Sequence, residues 1–309
     1  MVVTHGAFPP DRASPCALTI GNFDGVHRGH RALLDRVIAR AKELRVSSCV
    51  LTFEPHPREF FAGAAAPARL TRLRDKLALV AAASIGRVHV ARFDARFAAL
   101  SAQRFVEEVL VAGLRVQWLL VGRDFRYGER RTGDFSTLAE ASARHGFGLE
   151  SMADVLFEGQ RVSSSAVRAA LAAGDLQAAE RLLGHPYTIS GRVAHGAKLG
   201  RDLGFPTANI VLRRPPPLNG IFAVEVEGLA NGKMRGVASV GRRPTVNPVP
   251  IPLLEVHLFD RDEDLYGRHL KVRFAKKLRD EQKYDGLPAL REAIARDARQ
   301  AREYFETHG

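Results

Sequence analysis

The sequence predicts an α/β protein in two parts. Residues 1–184 form a doubly wound parallel sheet, and residues 185–309 form a small antiparallel β-barrel with a closing helix. Three observations lead there. At 309 residues the chain fits two separate cores more comfortably than one. Up to Leu183, strand-like and helix-like segments alternate. Beyond Gly184-His185-Pro186, strands follow one another with only turn residues between them.

In the first part, Ala17–Ile20 is a short apolar strand, followed by a glycine-rich turn and an amphipathic helix from about Gly29 to Leu44. Strand Val46–Phe53, helix Leu73–Ala83, strand Val88–Phe93, helix Ser101–Ala112 and strand Val116–Val121 continue the alternation. Helix Phe135–His145, strand Gly148–Val155 and two short helices, Ala166–Ala173 and Leu176–Leu183, complete it. Strands spaced by helices of this length run parallel, and such sheets bind ligands beyond the carboxyl ends of their strands. In the second part the strands are Tyr187–Ala194, Phe222–Glu227, Met234–Ser239, Leu253–Phe259 and Leu270–Phe274. Asn231-Gly232 and Pro215–Pro217 are among the turns, and an amphipathic helix from about Pro288 to Phe305 ends the pattern.

Composition narrows the classes. The formal charge is +12, but the basic residues are scattered along helix faces, as in Arg36, Arg40 and Arg45, with no run of five. That pattern points to polyanionic small molecules rather than to nucleic acid. No apolar stretch approaches the ~20 residues of a membrane span, and the first residues lack the basic start and apolar run of a signal peptide. Two cysteines, Cys16 and Cys49, cannot build a disulfide framework and read as small buried hydrophobes of a cytoplasmic protein. A homo-oligomer is left open.

The first candidate site is Gly21-Asn22-Phe23-Asp24-Gly25-Val26-His27-Arg28-Gly29-His30, where the first strand opens into the first helix. Glycines let the backbone approach a ligand, and the helix start offers free N–H groups to phosphate. His27 and His30 stand three apart, on one face of the first turn, where imidazoles can donate to a phosphate oxygen as charge develops. On spacing alone the pair also reads as ordinary polar residues on an exposed turn. Glu54-Pro55-His56-Pro57 and Val121–Gly128 follow later strands, at the ligand end of the sheet. Val162–Arg168 opens a helix whose Ser164 or Ser165 reads as an N-cap, with Arg168 one turn further in.

The second candidate site is Gly191–Ile210, with four glycines and the basic residues Lys198 and Arg201. Gly196, Lys198, Gly200 and Gly204 suit a loop covering phosphates. Thr207 and Asn209, two apart in an extended segment, face one side with hard oxygen ligands suited to Mg²⁺. Unsupported, Gly204-Phe205-Pro206-Thr207 is a turn. Glu255 points opposite to Leu254 and Val256 on an alternating strand, which also describes a solvent-facing glutamate.

The histidine pair at a strand-to-helix turn resembles the HxGH signature of the nucleotidyltransferase superfamily. The first half, through Gly21–His30, Phe53–Pro57, Val121–Gly128 and Val162–Arg168, looks like the FMN adenylyltransferase module of bacterial bifunctional FAD synthetases. Gly204–Asn209 matches the GFPTAN signature of riboflavin kinases, supported by Asn219–Val224, Gly241–Thr245 and Leu254–Leu258. The resemblance runs from Cys16 to about Glu303. It implies that His27, His30, Ser164 and Arg168 engage ATP in the first half, with Gly21, Asn22, Phe23, Asp24 and Asp124 lining the nucleotide. It implies that Glu255 is the kinase base, that Gly196, Lys198, Gly200, Gly204, Pro206, Thr207 and Asn209 form the second ATP and Mg²⁺ site, and that Arg279 and Tyr284 lie on the flavin side. Phe60 and Phe61 read either as flavin neighbours or as core phenylalanines. Riboflavin, FMN and ATP are the implied partners. Ala197, Leu199, Ser239 and Arg242 depart from the family's usual Asp, basic, Asn and Thr. Two rival readings are an adenylyltransferase with another acceptor and a basic RNA-binding protein.

Overall fold

The computed structural model describes residues 1–6, 14–195, 200, 203–229, 232–243, 251–261 and 264–308. Gly196, Ala197, Lys198, Leu199 and the Arg242 side chain lie outside the described residues. The chain divides into two compact units: Met1–Pro67 with Leu73–Ser163, and Ala68–Arg72 with Ser164–Gly309.

The first unit is built on β1 (Val2–His5), β2 (Cys16–Ile20), β3 (Ser47–Glu54), β4 (Arg87–Arg92), β5 (Val116–Gly122) and β6 (Gly148–Met152). They form one sheet in the order β1-β4-β3-β2-β5-β6, every pairing parallel. From the central β2 the chain moves outward through β3 and β4, then returns to the other side of β2, so the order reverses between β2 and β5. That is where doubly wound sheets open a crevice for ligand. Both faces are covered, which explains the unbroken apolar runs. Cys16, Leu18, Ile20, Cys49, Leu51, Leu119 and Val121 pack on one side with the helical segment α3 (Phe105–Gly113) and α4 (Phe135–His145). The alternate residues Val50, Val88 and Val90 pack on the other with α1 (Arg28–Leu44) and α2 (Leu73–Ala82). The expected strands and helices are all present. The edge strand β1, hidden in the N-terminal tail, and a two-residue hairpin β7 (Leu156–Phe157) and β8 (Gln160–Arg161) are additions.

In the second unit, α5 (Ser164–Ala173) and α6 (Leu176–Leu183) precede a closed barrel. Its strands are β9 (Thr188–Ala194), β10 (Ala208–Val211), β11 (Gly220–Leu229), β12 (Gly232–Arg243), β13 (Ile251–Leu258) and β14 (His269–Arg279), in the order β10-β13-β12-β11-β14-β9. All pairings are antiparallel. Phe222, Val224, Val226, Leu254, Val256, Val272 and Phe274 are buried at alternate positions. On the opposite face of the same strands, Ile221, Ala223 and Val237 pack against Ala298, Ala301 and Phe305 of the final helix α7 (Leu287–His308). Strand alternation therefore places Glu255, between Leu254 and Val256, on the helix-covered outer face.

Candidate active sites

In the first unit the loop after β2 carries positive φ at Phe23 (47°), Gly25 (86°) and Val26 (42°). A β-branched residue in the left-handed region stores strain of about 1–3 kcal/mol. Phe23 and Val26 are nevertheless buried in the same apolar cluster as Leu34, Val50 and Val88, and that burial holds the loop in place. The loop fixes His27 as the N-cap of α1, with Nδ1 accepting the His30 backbone N–H at 3.2 Å. An accepting Nδ1 places the ring proton of neutral His27 on Nε2, which makes that nitrogen a donor. A Cβ at Gly29 would lie 3.2 Å from the His27 ring, so the spacing of the pair depends on a glycine between them. The two rings stack at 3.7 Å, and His27 is only 6% exposed. The exposed-turn reading of the pair is thereby overturned.

Burial first, then the neighbouring His27 and Lys76, hold His30 well below the usual imidazole value of 6.5. His30 is neutral at pH 7. The sign of the linkage follows: the unfolded chain binds a proton that the folded chain resists, so stability falls as pH drops below about 6.5, by at most about 1.4 kcal/mol per pH unit. His89, also held low mainly by burial, adds to the slope. Denaturant unfolding between pH 7 and pH 5 should show the loss, and His30→Gln should flatten it in part.

Of the five buried side-chain polar atoms that have no hydrogen-bond partner among the described residues, Thr19 Oγ1, Asn22 Oδ1 and His30 Nδ1 all belong to this strand–loop–helix segment. Buried polar atoms are normally satisfied, so such a concentration marks a place shaped for a ligand. Asp24 is buried beside them in the loop. Thr52 Oγ1 donates to the Asn22 carbonyl at 3.3 Å, and Lys76 Nζ donates to Thr52 Oγ1 at 3.3 Å. Lys76 is 3% exposed. Its position between Leu73, Leu77 and Val80 on the apolar stripe of α2 was the available signal for it.

At the end of β5, Asp124 is largely exposed and pairs with Arg161 at 3.4 Å, which also meets Asp154 at 2.9 Å. Arg161, on β8, was not singled out by sequence. After β3, Phe60 and Phe61 are 39% and 70% exposed, which overturns the core reading. They make edge contacts with each other (5.1 Å) and with Phe93 (5.5 and 5.8 Å), which in turn packs edge-on against Phe53. This open aromatic surface suits a flat heterocycle. Ser164 and Arg168 lie on α5 in the second unit, where Arg168 Nε donates to the Ala68 carbonyl at 2.6 Å.

In the second unit, strand register gathers the other set. Asn209 on β10 and Ser239 on β12 both stand directly opposite Glu255 on β13. A cavity of about 300 Å³ is lined by Thr207, Ser239, Glu255, His257, Arg279 and Tyr284 among others. Glu255 is half-buried and faces this cavity, not open solvent. Asn209 is 5% exposed; its Nδ2 donates to the Thr207 carbonyl at 3.2 Å, while its Oδ1 has no partner among the described residues. Gly204 adopts φ 84°, and a Cβ at Gly200 would press on the Phe205 carbonyl. Arg279 is gripped by both oxygens of buried Asp297 at 2.8 and 2.6 Å and lies over the Tyr284 ring at 5.7 Å. Asp297 was legible as a carboxylate on the apolar stripe Ala293, Asp297, Ala301 of α7. Across the Pro206–Thr207 segment a wider cleft contains Arg261, Asp264 and Tyr266, whose ring packs on His195 at 3.8 Å.

No described helix is long and apolar enough to cross a membrane. Family comparison divides the chain in the same order as the two sites. The FAD synthetase family model matches residues 10–166, and the riboflavin kinase family model matches residues 183–305. A bifunctional riboflavin kinase/FMN adenylyltransferase of Escherichia coli K12 is 52% identical over 291 residues, covering 94% of this chain and 93% of the relative. Enzymes of the same name from Pseudomonas fluorescens and Haemophilus influenzae are 50% and 47% identical, covering 96% and 94% of this chain and 95% of each relative. A solved structure from Streptococcus pneumoniae, described as a macrolide-efflux protein, superposes with a TM-score of 0.80 at 25% identity, covering 98% of this chain and 99% of that one. The chain belongs to the bifunctional riboflavin kinase/FMN adenylyltransferase family.

Proposed function

We infer that the chain makes FAD in two ATP-dependent steps. Riboflavin becomes FMN at the barrel, and FMN becomes FAD beside the parallel sheet, with release of pyrophosphate. The observation that carries the reading is the placement of the unsatisfied buried atoms. Of the five among the described residues, three fall in the two motif segments, at Asn22, His30 and Asn209, and a fourth, Thr19, lies on the strand that leads into the first.

At the barrel, Glu255 takes the proton of the terminal ribityl hydroxyl while its oxygen forms the new bond to the γ-phosphorus and ADP departs. Arg279, braced by Asp297, and Tyr284 hold the flavin end. Gly196, Lys198, Gly200, Gly204 and Pro206 belong to the segment that lies along the nucleotide, and the His195–Tyr266 pair offers an aromatic face to its base. Mg²⁺ fits the oxygen set here: the unsatisfied Asn209 Oδ1 and the neighbouring Thr207 hydroxyl are hard donors of the kind it takes alongside phosphate. When bound it would neutralise charge on the transferring phosphate.

At the sheet, an FMN phosphate oxygen attacks the α-phosphorus of ATP and pyrophosphate leaves. His27 and His30 donate to the developing charge without forming a covalent intermediate. Gly21, Asn22, Phe23, Asp24 and Asp124 line the nucleotide, and Phe60 and Phe61 receive the flavin ring. The free, buried thiols of Cys16 and Cys49 suit a reducing cytoplasm.

Incubation with riboflavin, ATP and Mg²⁺, followed by chromatography, should show FMN and then FAD. ATP-dependent adenylylation of some other acceptor, with riboflavin untouched, would overturn the reading. Residues 1–184 and 185–309 are proposed as the adenylyltransferase and kinase domains. A fragment of residues 185–309 should therefore make FMN but not FAD. Starting it at Ser164 should raise its melting temperature, because Leu176, Ala179, Leu182 and Leu183 of α6 are buried in the second unit. A 185–309 fragment that is inert beside an active full chain would move the boundary to Ser164.

A further inference from the structure

We propose that His257 is a positioning residue of the kinase reaction, clamping the Pro206 carbonyl so that Thr207 and Asn209 present their oxygens to the nucleotide phosphates. The proposal rests on the kinase reading of the barrel.

The segment leading into β10 has little regular structure of its own. Gly204 is left-handed, and Pro206 has no N–H, so that residue can be tethered only through its carbonyl. Among the described residues, three bonds hold the segment: Phe205 N–H to the Gly200 carbonyl at 2.7 Å, Asn209 Nδ2 to the Thr207 carbonyl at 3.2 Å, and His257 Nδ1 to the Pro206 carbonyl at 2.9 Å. The last comes from β13, a strand distant in sequence from the segment. A carbonyl cannot donate, so the proton lies on Nδ1 of His257. The imidazole is itself fixed, edge-on to Phe205 at 5.3 Å and to Phe259 at 6.0 Å. His257 stands two residues beyond Glu255 on β13, on the same outer face, and both line the cavity. One strand thus carries both the proton acceptor and the clamp on the phosphate-side loop. Turning the Pro206 and Thr207 carbonyls into protein contacts leaves the Thr207 hydroxyl and Asn209 Oδ1 as the oxygens facing the site.

The test compares His257→Ala, His257→Asn and His257→Gln in the full chain. Calorimetric titration gives the Kd of Mg·ADP, steady-state kinetics give KM for ATP and kcat, and flavin fluorescence quenching gives riboflavin affinity. Loss of the clamp should weaken Mg·ADP and raise KM for ATP about tenfold, the scale of one buried hydrogen bond, while riboflavin affinity and melting temperature stay near wild type. The Asn amide nitrogen falls close to the place of Nδ1, whereas that of Gln falls near Nε2, so Asn should restore most of the affinity and Gln little. An Ala variant with wild-type Mg·ADP affinity overturns the proposal. So does equal failure of Asn, Gln and Ala, or a parallel fall of riboflavin affinity and melting temperature, which marks a packing role. If the wild-type protein leaves riboflavin unphosphorylated, the kinase reading fails instead, and Mg·ADP binding still judges the clamp.

Discussion

His27→Ala or His30→Ala should lower FAD formation from FMN by about 10²-fold or more, the usual loss for a single donor to a charged transition state. FMN formation from riboflavin should be unchanged, because that chemistry is assigned to the barrel. The two losses have different origins. His27 caps α1 through Nδ1 and keeps its Nε2 proton as a donor, so His27→Ala removes a donor and also a cap contributing about 1 kcal/mol. His27→Asn restores a capping oxygen without the ring, and should recover stability but not rate. His30 is neutral at pH 7 through burial, so the FAD-forming rate should show no step near 6.5 from its titration. Unaltered FAD synthesis in both alanine variants would remove the pair from the chemistry. Equal loss of both activities would indicate a folding defect.

The parallel sheet was legible because its strands are buried on both faces and its helices are amphipathic, so apolar runs and the helical period both stood out. The first edge strand was not. Val2–His5 is four residues long, pairs on one side only with β4, and is separated from β2 by ten residues, Gly6–Pro15, whose sequence carries no hydrophobic period. Strand β10 was read as an extended stretch inside a motif, since Ala208–Val211 is too short to announce itself as a barrel strand. The spacing of His27 and His30 was visible, but its reason was not: Gly29 makes room for the ring that caps the helix. Partners distant in sequence were the other blind spot. Lys76 to Thr52, Arg161 to Asp124 and Asp297 to Arg279 are set by tertiary placement, and only a charge on an apolar stripe hints at the first and last.

Glu255→Gln should abolish most FMN formation while FAD formation from supplied FMN continues. A primary hydroxyl is a weak nucleophile at neutral pH, so transfer to it needs a proton acceptor within hydrogen-bond reach. Glu255 lies on the cavity-facing side of β13, with Asn209 and Ser239 opposite it on the two neighbouring strands. On the proposed kinase reading, the reacting hydroxyl and the γ-phosphate meet between these side chains and Thr207. Glutamine keeps the size and can still hydrogen-bond, so the barrel should stay folded and riboflavin should still bind; what disappears is the capacity to take a proton. The other carboxylates are less suitable. Asp260 is held by both terminal nitrogens of Arg302 at 2.9 and 2.8 Å, and lines the wider cleft instead of the Glu255 cavity. Asp297 is committed to Arg279. Glu281 lines the same cavity as Glu255, and its carboxyl is pushed up by partial burial and by the Glu255 charge. In Glu255→Gln that charge is gone, so Glu281 should ionise more readily, and any residual kinase activity should fall further in Glu255→Gln/Glu281→Gln. Near-normal turnover in the single variant would withdraw the base role from Glu255 and make Glu281 the next carboxylate to replace.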